Sequence, residues 1–243
     1  MSTREDWMRR LGPLYGGAVA LVHSTPWRWP AEAREDARSP GWVVALGVPI
    51  GVIAYLAAAL GHAIGFPDAI SSLLGLAALT AASAGLIERG VVDRIDRMAD
   101  TQSPTVPAIL ALVFATLLRA AAVMSIAPNQ WLGLFVATAI TGRWAAMFLQ
   151  GLGDPIADDH APRSLVTSPA PLWLMAALSA GVLALDVLAL GKIAVVVIAV
   201  VAAISFGLGL DAQRRDRGLS APIVACAAAI GELATLLVAT VHA

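Results

Sequence analysis

Long apolar runs separated by short polar connections dominate the chain. They cover roughly Trp42–Gly61, Ala69–Ile87, Pro107–Ile126, Trp131–Leu152, Pro171–Leu190, Ile193–Leu210 and Ala221–Val241. Each is close to the ~20 residues that a helix needs to cross the hydrocarbon core of a bilayer. Prolines stand just outside the runs, at Pro67, Pro104, Pro128 and Pro169, where the ring starts or stops a helix. Trp42, Trp131 and Trp173 lie near run starts, the place of interfacial tryptophans. A shorter apolar piece, Leu11–His23, leads into Thr25-Pro26-Trp27-Arg28-Trp29-Pro30. It is too short to span, which predicts an interfacial or re-entrant helix. The expected fold is an all-α, polytopic transmembrane bundle of about seven spans plus this short N-terminal helix. One membrane domain fills 1–243, with 1–41 as the N-terminal segment and 42–241 as the bundle.

Composition agrees. Apolar residues make up 58% of the chain and charged residues 14%, with mean hydropathy +0.78. A soluble domain is about half apolar and a quarter charged, so this chain has too little polar surface to cover itself in water. Lipid takes the excess. The formal net charge of −1 gives no reason to expect a nucleic-acid partner. The single cysteine, Cys226, has no partner for an intrachain disulfide. The charged start, Met1 to Arg10, is not followed by a short apolar core and cleavage site, so no cleaved signal peptide is expected.

The basic residues set an expected orientation. With seven spans, one side receives Arg4, Arg9, Arg10, Arg28, Arg34 and Arg38 before the first span. It also receives Arg89, Arg94 and Arg97, then Arg163, then Arg214, Arg215 and Arg217. The other side receives only Lys192. The positive-inside rule places the N-terminus and the long connections in the cytoplasm, in a multi-pass bacterial inner-membrane protein.

Candidate chemistry begins after the second run, at Glu88-Arg89-Gly90-Val91-Val92-Asp93-Arg94-Ile95-Asp96-Arg97-Met98-Ala99-Asp100. Asp93, Asp96 and Asp100 stand at i, i+3 and i+7 and share one helix face, with Glu88 about a turn and a half earlier. Carboxylates on one face at a membrane edge can hold Mg²⁺, which takes oxygen ligands and bridges to phosphates. The alternative is a solvated, mixed-charge connection whose acids are neutralised by Arg89, Arg94 and Arg97. Arg119 and Arg143 lie inside apolar runs, where a charge costs about 3 kcal/mol on insertion scales. They are expected to face the bundle interior, binding an anion or pairing with an acid such as Glu232 in the last run. Asp186 falls near a span end and is expected at the interface. Asp154, Asp158, Asp159 and His160 read as a solvated acidic loop, with a metal site as the alternative, and His23, His62 and His242 lack ligand spacing. No nucleotide loop, CxxC or nucleophile elbow occurs.

In this order the features resemble the cobalamin synthase family, the adenosylcobinamide-GDP ribazoletransferases. Leu21-Val22-His23-Ser24-Thr25-Pro26-Trp27 is similar to the family's N-terminal Thr-x-x-Pro-like turn. Glu88 to Arg97 falls on its acidic motif, keeping Gly90, Asp93 and Asp96. Met98 to Pro104 is similar to a remnant of its middle motif. Leu117-Leu118-Arg119-Ala120-Ala121, Gly142-Arg143 and Gly231-Glu232-Leu233 match later landmarks. Several polar motif positions differ: Arg89 and Arg97 stand for an aspartate and a glycine, Ala99 and Gln102 for a lysine and an arginine, and Pro222 for an aspartate. The resemblance implies joining α-ribazole or its phosphate to adenosylcobinamide-GDP, releasing GMP, with Mg²⁺. It implies Asp93, Asp96 and Asp100 as catalytic residues, with Glu88 added as a metal ligand. Arg119, Arg143 and Glu232 become substrate-binding residues. The implied partners are the corrinoid nucleotide, α-ribazole, the bilayer and other enzymes of the pathway. Two alternatives stand beside this. One is a catalytically impaired relative that binds a corrinoid or acts as a scaffold, in which arginines occupy the metal's place. The other is a small transporter, for which carboxylates or broken helices at mid-membrane would be expected.

Overall fold

The computed structural model describes residues 10–27, 39–99, 104–154, 156 and 170–241. Asp100, Asp158, Asp159, His160, Arg163 and His242 lie outside the described residues. Among those described, every regular element is helical. Helix α1 is Tyr15–Ser24, α2 Ser39–Ala45, α3 Gly47–Ala63, α4 Asp68–Ala82 and α5 Leu86–Met98. Then come α6 Val106–Met124, α7 Trp131–Gln150, α8 Leu172–Leu190, α9 Ala194–Arg215 and α10 Ala221–Thr240.

Helix starts follow local chemistry. Thr105 caps α6, its hydroxyl accepting from the Ala108 amide, with Pro107 in the first turn. Pro67 and Pro171 are the residues before α4 and α8, and Pro222 lies in the first turn of α10. Helix α1 has ten residues and rises only about 15 Å, so it cannot span. It lies against α2, where Trp42 packs over Gly17.

Five helical stretches are long and apolar enough to cross a membrane, and the bent pair α4–α5 makes a sixth. The longest stretch, Leu172–Arg215, is a hairpin of two crossings. Ala189 lies against Gly133 at the start of α7 and Met175 against Gly151 at its end, so α8 runs antiparallel to α7. Gly209 packs on Leu149 and Leu152, so α9 returns parallel to α7. Gly191, at φ 69°, makes the reversal, a backbone region that suits glycine. The chain therefore traverses the bundle about seven times, as the hydropathy pattern predicts.

The second traverse corrects the expected boundary. The apolar run to Ile87 is not one helix: α4 stops at Ala82 and α5 leaves at 70°. Ala84 and Gly85 adopt left-handed φ values of 55° and 64° and interrupt the helical hydrogen bonds. A second correction concerns Trp131. It is buried, and its indole N–H donates to the Ile126 carbonyl at 3.1 Å, so it closes the α6–α7 turn rather than anchoring at the interface.

Helix α7 is the centre, buried along nearly its whole length and packed by α3, α8, α9 and α10. Small residues bring backbones together. A methyl group added at Gly47 would stand 2.7 Å from the Ile140 Cα, and one at Gly231 would stand 3.2 Å from the Gly142 Cα. Lipid offers no hydrophobic drive for helix association, so such close packing carries it. The outer faces of α6, α8 and α9 expose Phe114, Leu117, Leu188 and Phe206, as lipid-facing helices do.

Two ends can be distinguished. At one end the backbones of Asp154, Ile156 and Leu219 pair, joining the end of α7 to the start of α10. This end gathers Arg94, Arg97, Arg214, Arg215 and Arg217 and is called the basic end below. The opposite end holds the turns Pro128–Gln130 and Gly191–Ile193.

Candidate functional site

The break between α4 and α5 positions the site. It frees backbone groups inside an apolar bundle, and polar side chains gather around it. Just past the break, Glu88 enters the bundle. Its Oε1 accepts from the Thr80 hydroxyl at 2.8 Å and from Arg119 Nη1 at 2.6 Å. Arg119 reaches from α6, and its Nη2 donates to Glu232 Oε2 of α10, also at 2.6 Å. Arg143 of α7 donates from Nη2 to the Ser83 hydroxyl at the break, 2.8 Å, and from Nη1 to the Ala139 carbonyl, 3.0 Å. Its Nη1 stands 3.8 Å from Glu232 Oε1. Gly142 makes room for this: a methyl group there would fall 2.5 Å from the Glu232 Cγ.

Arg119 and Arg143 thus face the interior, both buried, and two carboxylates balance their two charges. The expectation that Glu88 belongs to a connection outside the bundle is corrected. It lies at the start of α5, and its side chain is largely buried against α6. A broken span and two interior carboxylates, the features expected of the transporter alternative, are both present.

Helix α5 then runs along α10, with Gly90 pressed on Ala225, towards the basic end. Its polar residues take separate partners. Arg89 Nε donates to Asp93 Oδ2 at 3.2 Å, an exposed i, i+4 pair. Arg94 is buried and grips Asp211 at 2.6 Å and Asp216, joining α5 to the end of α9 and the connection after it. Asp96 turns inward and accepts from the backbone amide and hydroxyl of Thr105, at 2.9 and 2.7 Å. It holds the start of α6.

These positions test the fit to Mg²⁺. Among the described residues, no group of three or more His, Cys, Asp or Glu side chains is placed to hold a metal ion. Asp93 stays at the surface, Asp96 serves Thr105, Glu88 is bonded to Arg119, and Asp100 lies outside the described residues. The described carboxylates do not form a ligand set. The terminal nitrogens of Arg119 and Arg143 are likewise engaged by protein groups rather than turned to a substrate surface.

Sequence reasoning missed Thr80, Ser83, Thr105, Asp211 and Asp216 as partners of the charged residues. The triplet Ser83-Ala84-Gly85 inside an apolar run was the available signal, because a serine and glycine together often mark a helix break. Asp211 and Asp216 gave none, being acids within a polar connection. Asp186 is also misplaced by sequence. It is fully buried on α8 rather than interfacial.

A sequence model of the family described as cobalamin-5-phosphate synthase matches residues 17–240. No curated protein and no solved structure matches the chain.

Proposed function

Because the chain belongs to the cobalamin-5-phosphate synthase family, an enzyme family of cobalamin biosynthesis, we propose that it joins α-ribazole, or its phosphate, to adenosylcobinamide-GDP and releases GMP. The observation that carries this reading is the family match over nearly the whole chain. In this reading the substrates meet at the basic end beside α5, where a large amphipathic corrinoid can rest on the bilayer surface. The ribazole hydroxyl attacks the phosphorus bonded to the cobinamide oxygen, and the bond from that phosphorus to the GMP oxygen breaks. Asp93, the exposed carboxylate of α5, takes the hydroxyl proton, and Asp96 and Asp100 complete the catalytic acids. Arg119, Arg143 and Glu232, which resemblance offers as substrate-binding residues, enter as the group that holds α5 against α6, α7 and α10.

The test is direct. Purified protein in lipid, given adenosylcobinamide-GDP, α-ribazole and Mg²⁺, should release GMP, and Asp93→Asn should lower the rate by about a hundredfold or more. A second reading, a relative that binds the corrinoid without turnover, is favoured by the engagement of Asp93 with Arg89 and of Asp96 with Thr105. Retention of the corrinoid without GMP would establish it and remove the first.

We place the protein in the bacterial cytoplasmic membrane with the basic end in the cytoplasm. Alkaline phosphatase fused at Asn129 should be active and fused at Arg215 inactive. Equal activity at both sites would defeat this topology.

A further inference from the structure

Helix α8 carries one ionisable residue, Asp186, and it is fully buried against α7. The Thr141 hydroxyl donates to its Oδ2 at 2.6 Å. Its other oxygen, Oδ1, and the hydroxyl oxygen of Thr138, one turn before Thr141, have no hydrogen-bond partner among the described residues. Among the described residues, no cation faces the carboxyl. On α7, Arg143 is turned to Ser83, the Ala139 carbonyl and Glu232. Helix α2 carries no charged residue. On α9, Asp211, Arg214 and Arg215 stand at the far end from the α8–α9 turn. Lys192 is exposed in that turn, beyond the end of α8. An isolated carboxylate in such surroundings would be costly unless neutralised.

A small cavity lies between the same helices, nearer the end opposite the basic one. It is lined by Ile126, Gln130, Leu134, Ala189, Leu190 and Ile193, among others. Ala189 and Leu190 stand at i+3 and i+4 from Asp186, and Leu134 at i−4 from Thr138, so the cavity lining is about one helical turn, 5.4 Å, along α7 and α8 from the backbones of Asp186 and Thr138. We propose that Asp186, with Thr138 and Thr141, is a proton-binding site between α7 and α8, reached through this cavity from the end opposite the basic one. The ligand is a proton, and the neutral acid bridges the two helices through Thr141. The inference does not depend on the transferase reading.

A hydrophobic carbodiimide reports on such a group. The carboxylic acid gives its proton to a carbodiimide nitrogen while its oxygen bonds to the central carbon. The resulting O-acylisourea rearranges to a stable N-acylurea, with every atom retained. The whole protein in sealed vesicles should be treated near neutral pH with dicyclohexylcarbodiimide, and the adduct located by peptide mass spectrometry. The expected result is an adduct on Asp186 that is absent in Asp186→Asn. A water-soluble carbodiimide should modify the exposed Asp93 and leave Asp186 untouched. The adduct should diminish when pH is raised on the side opposite the basic end, and not when it is raised on the basic side. Thr141→Val keeps the carboxyl and should keep the adduct, so mapping does not depend on the asparagine variant folding. No adduct on Asp186 in the unaltered protein, or equal modification by both reagents, would overturn the site. Response to pH on the basic side alone, or on neither side, would overturn the access route.

Discussion

Replacing Arg119 with leucine is expected to destabilise the bundle by about 3–5 kcal/mol, the cost of stripping one partner from a buried ion pair. The side chain holds two carboxylates at once, Glu88 and Glu232, each at 2.6 Å. Its removal leaves Glu232 with only the longer contact to Arg143 and leaves Glu88 with the Thr80 hydroxyl. The double change Arg119→Leu and Glu88→Gln should recover much of the loss, because the amide at 88 needs no counter-charge and Glu232 remains to balance Arg143. Thermal unfolding in detergent measures both. If Arg119→Leu melts within 2 °C or so of the unaltered protein, the charges contribute little, as exposed pairs do.

Gly51→Ala is expected to cost about 1–3 kcal/mol through overpacking. The added methyl would stand 2.5 Å from the Val136 Cα and 2.7 Å from the Phe135 carbonyl oxygen, both backbone atoms of α7. A flexible side chain could swing aside, but a helix axis cannot without disturbing the other helices packed on α7. Gly207→Ala, where a methyl meets nothing within 4 Å, is the matched control and should not lower the melting temperature. Equal melting of both variants would show that α3 can retreat from α7 at no cost.

Much of the fold was legible because apolar length is a local property. The runs at Pro107–Ile126, Trp131–Leu152 and Ala221–Val241 became α6, α7 and α10 with only end residues shifted. The interior placement of Arg119 and Arg143 followed from the cost of facing lipid, and their pairing with Glu232 was among the arrangements expected. The break at Ser83–Gly85 escaped because hydropathy does not register backbone dihedrals, and Ala84 and Gly85 look like any small apolar pair. Glu88 was misplaced for the same reason: an unbroken helix to Ile87 would deliver it outside. The acidic face was legible as spacing on one helix, but its partners were not. Thr105, Asp211 and Asp216 come from other elements, and helical spacing says nothing about them. Asp186 was judged by its distance from a span end. The bend of its side chain towards the start of α8, to meet Thr141, carries it inward.

The Arg119–Glu232 contact joins residues 113 positions apart, and its acid arrives in the last helix. At 5–20 residues per second, a ribosome needs roughly 6–23 s to make that intervening length. Once Arg143 has been made, for most of that interval, two arginines stand in the membrane with Glu88 as their acidic neighbour. The nascent bundle carries excess positive charge until α10 enters beside α7. A chain that stops before Glu232 keeps that charge.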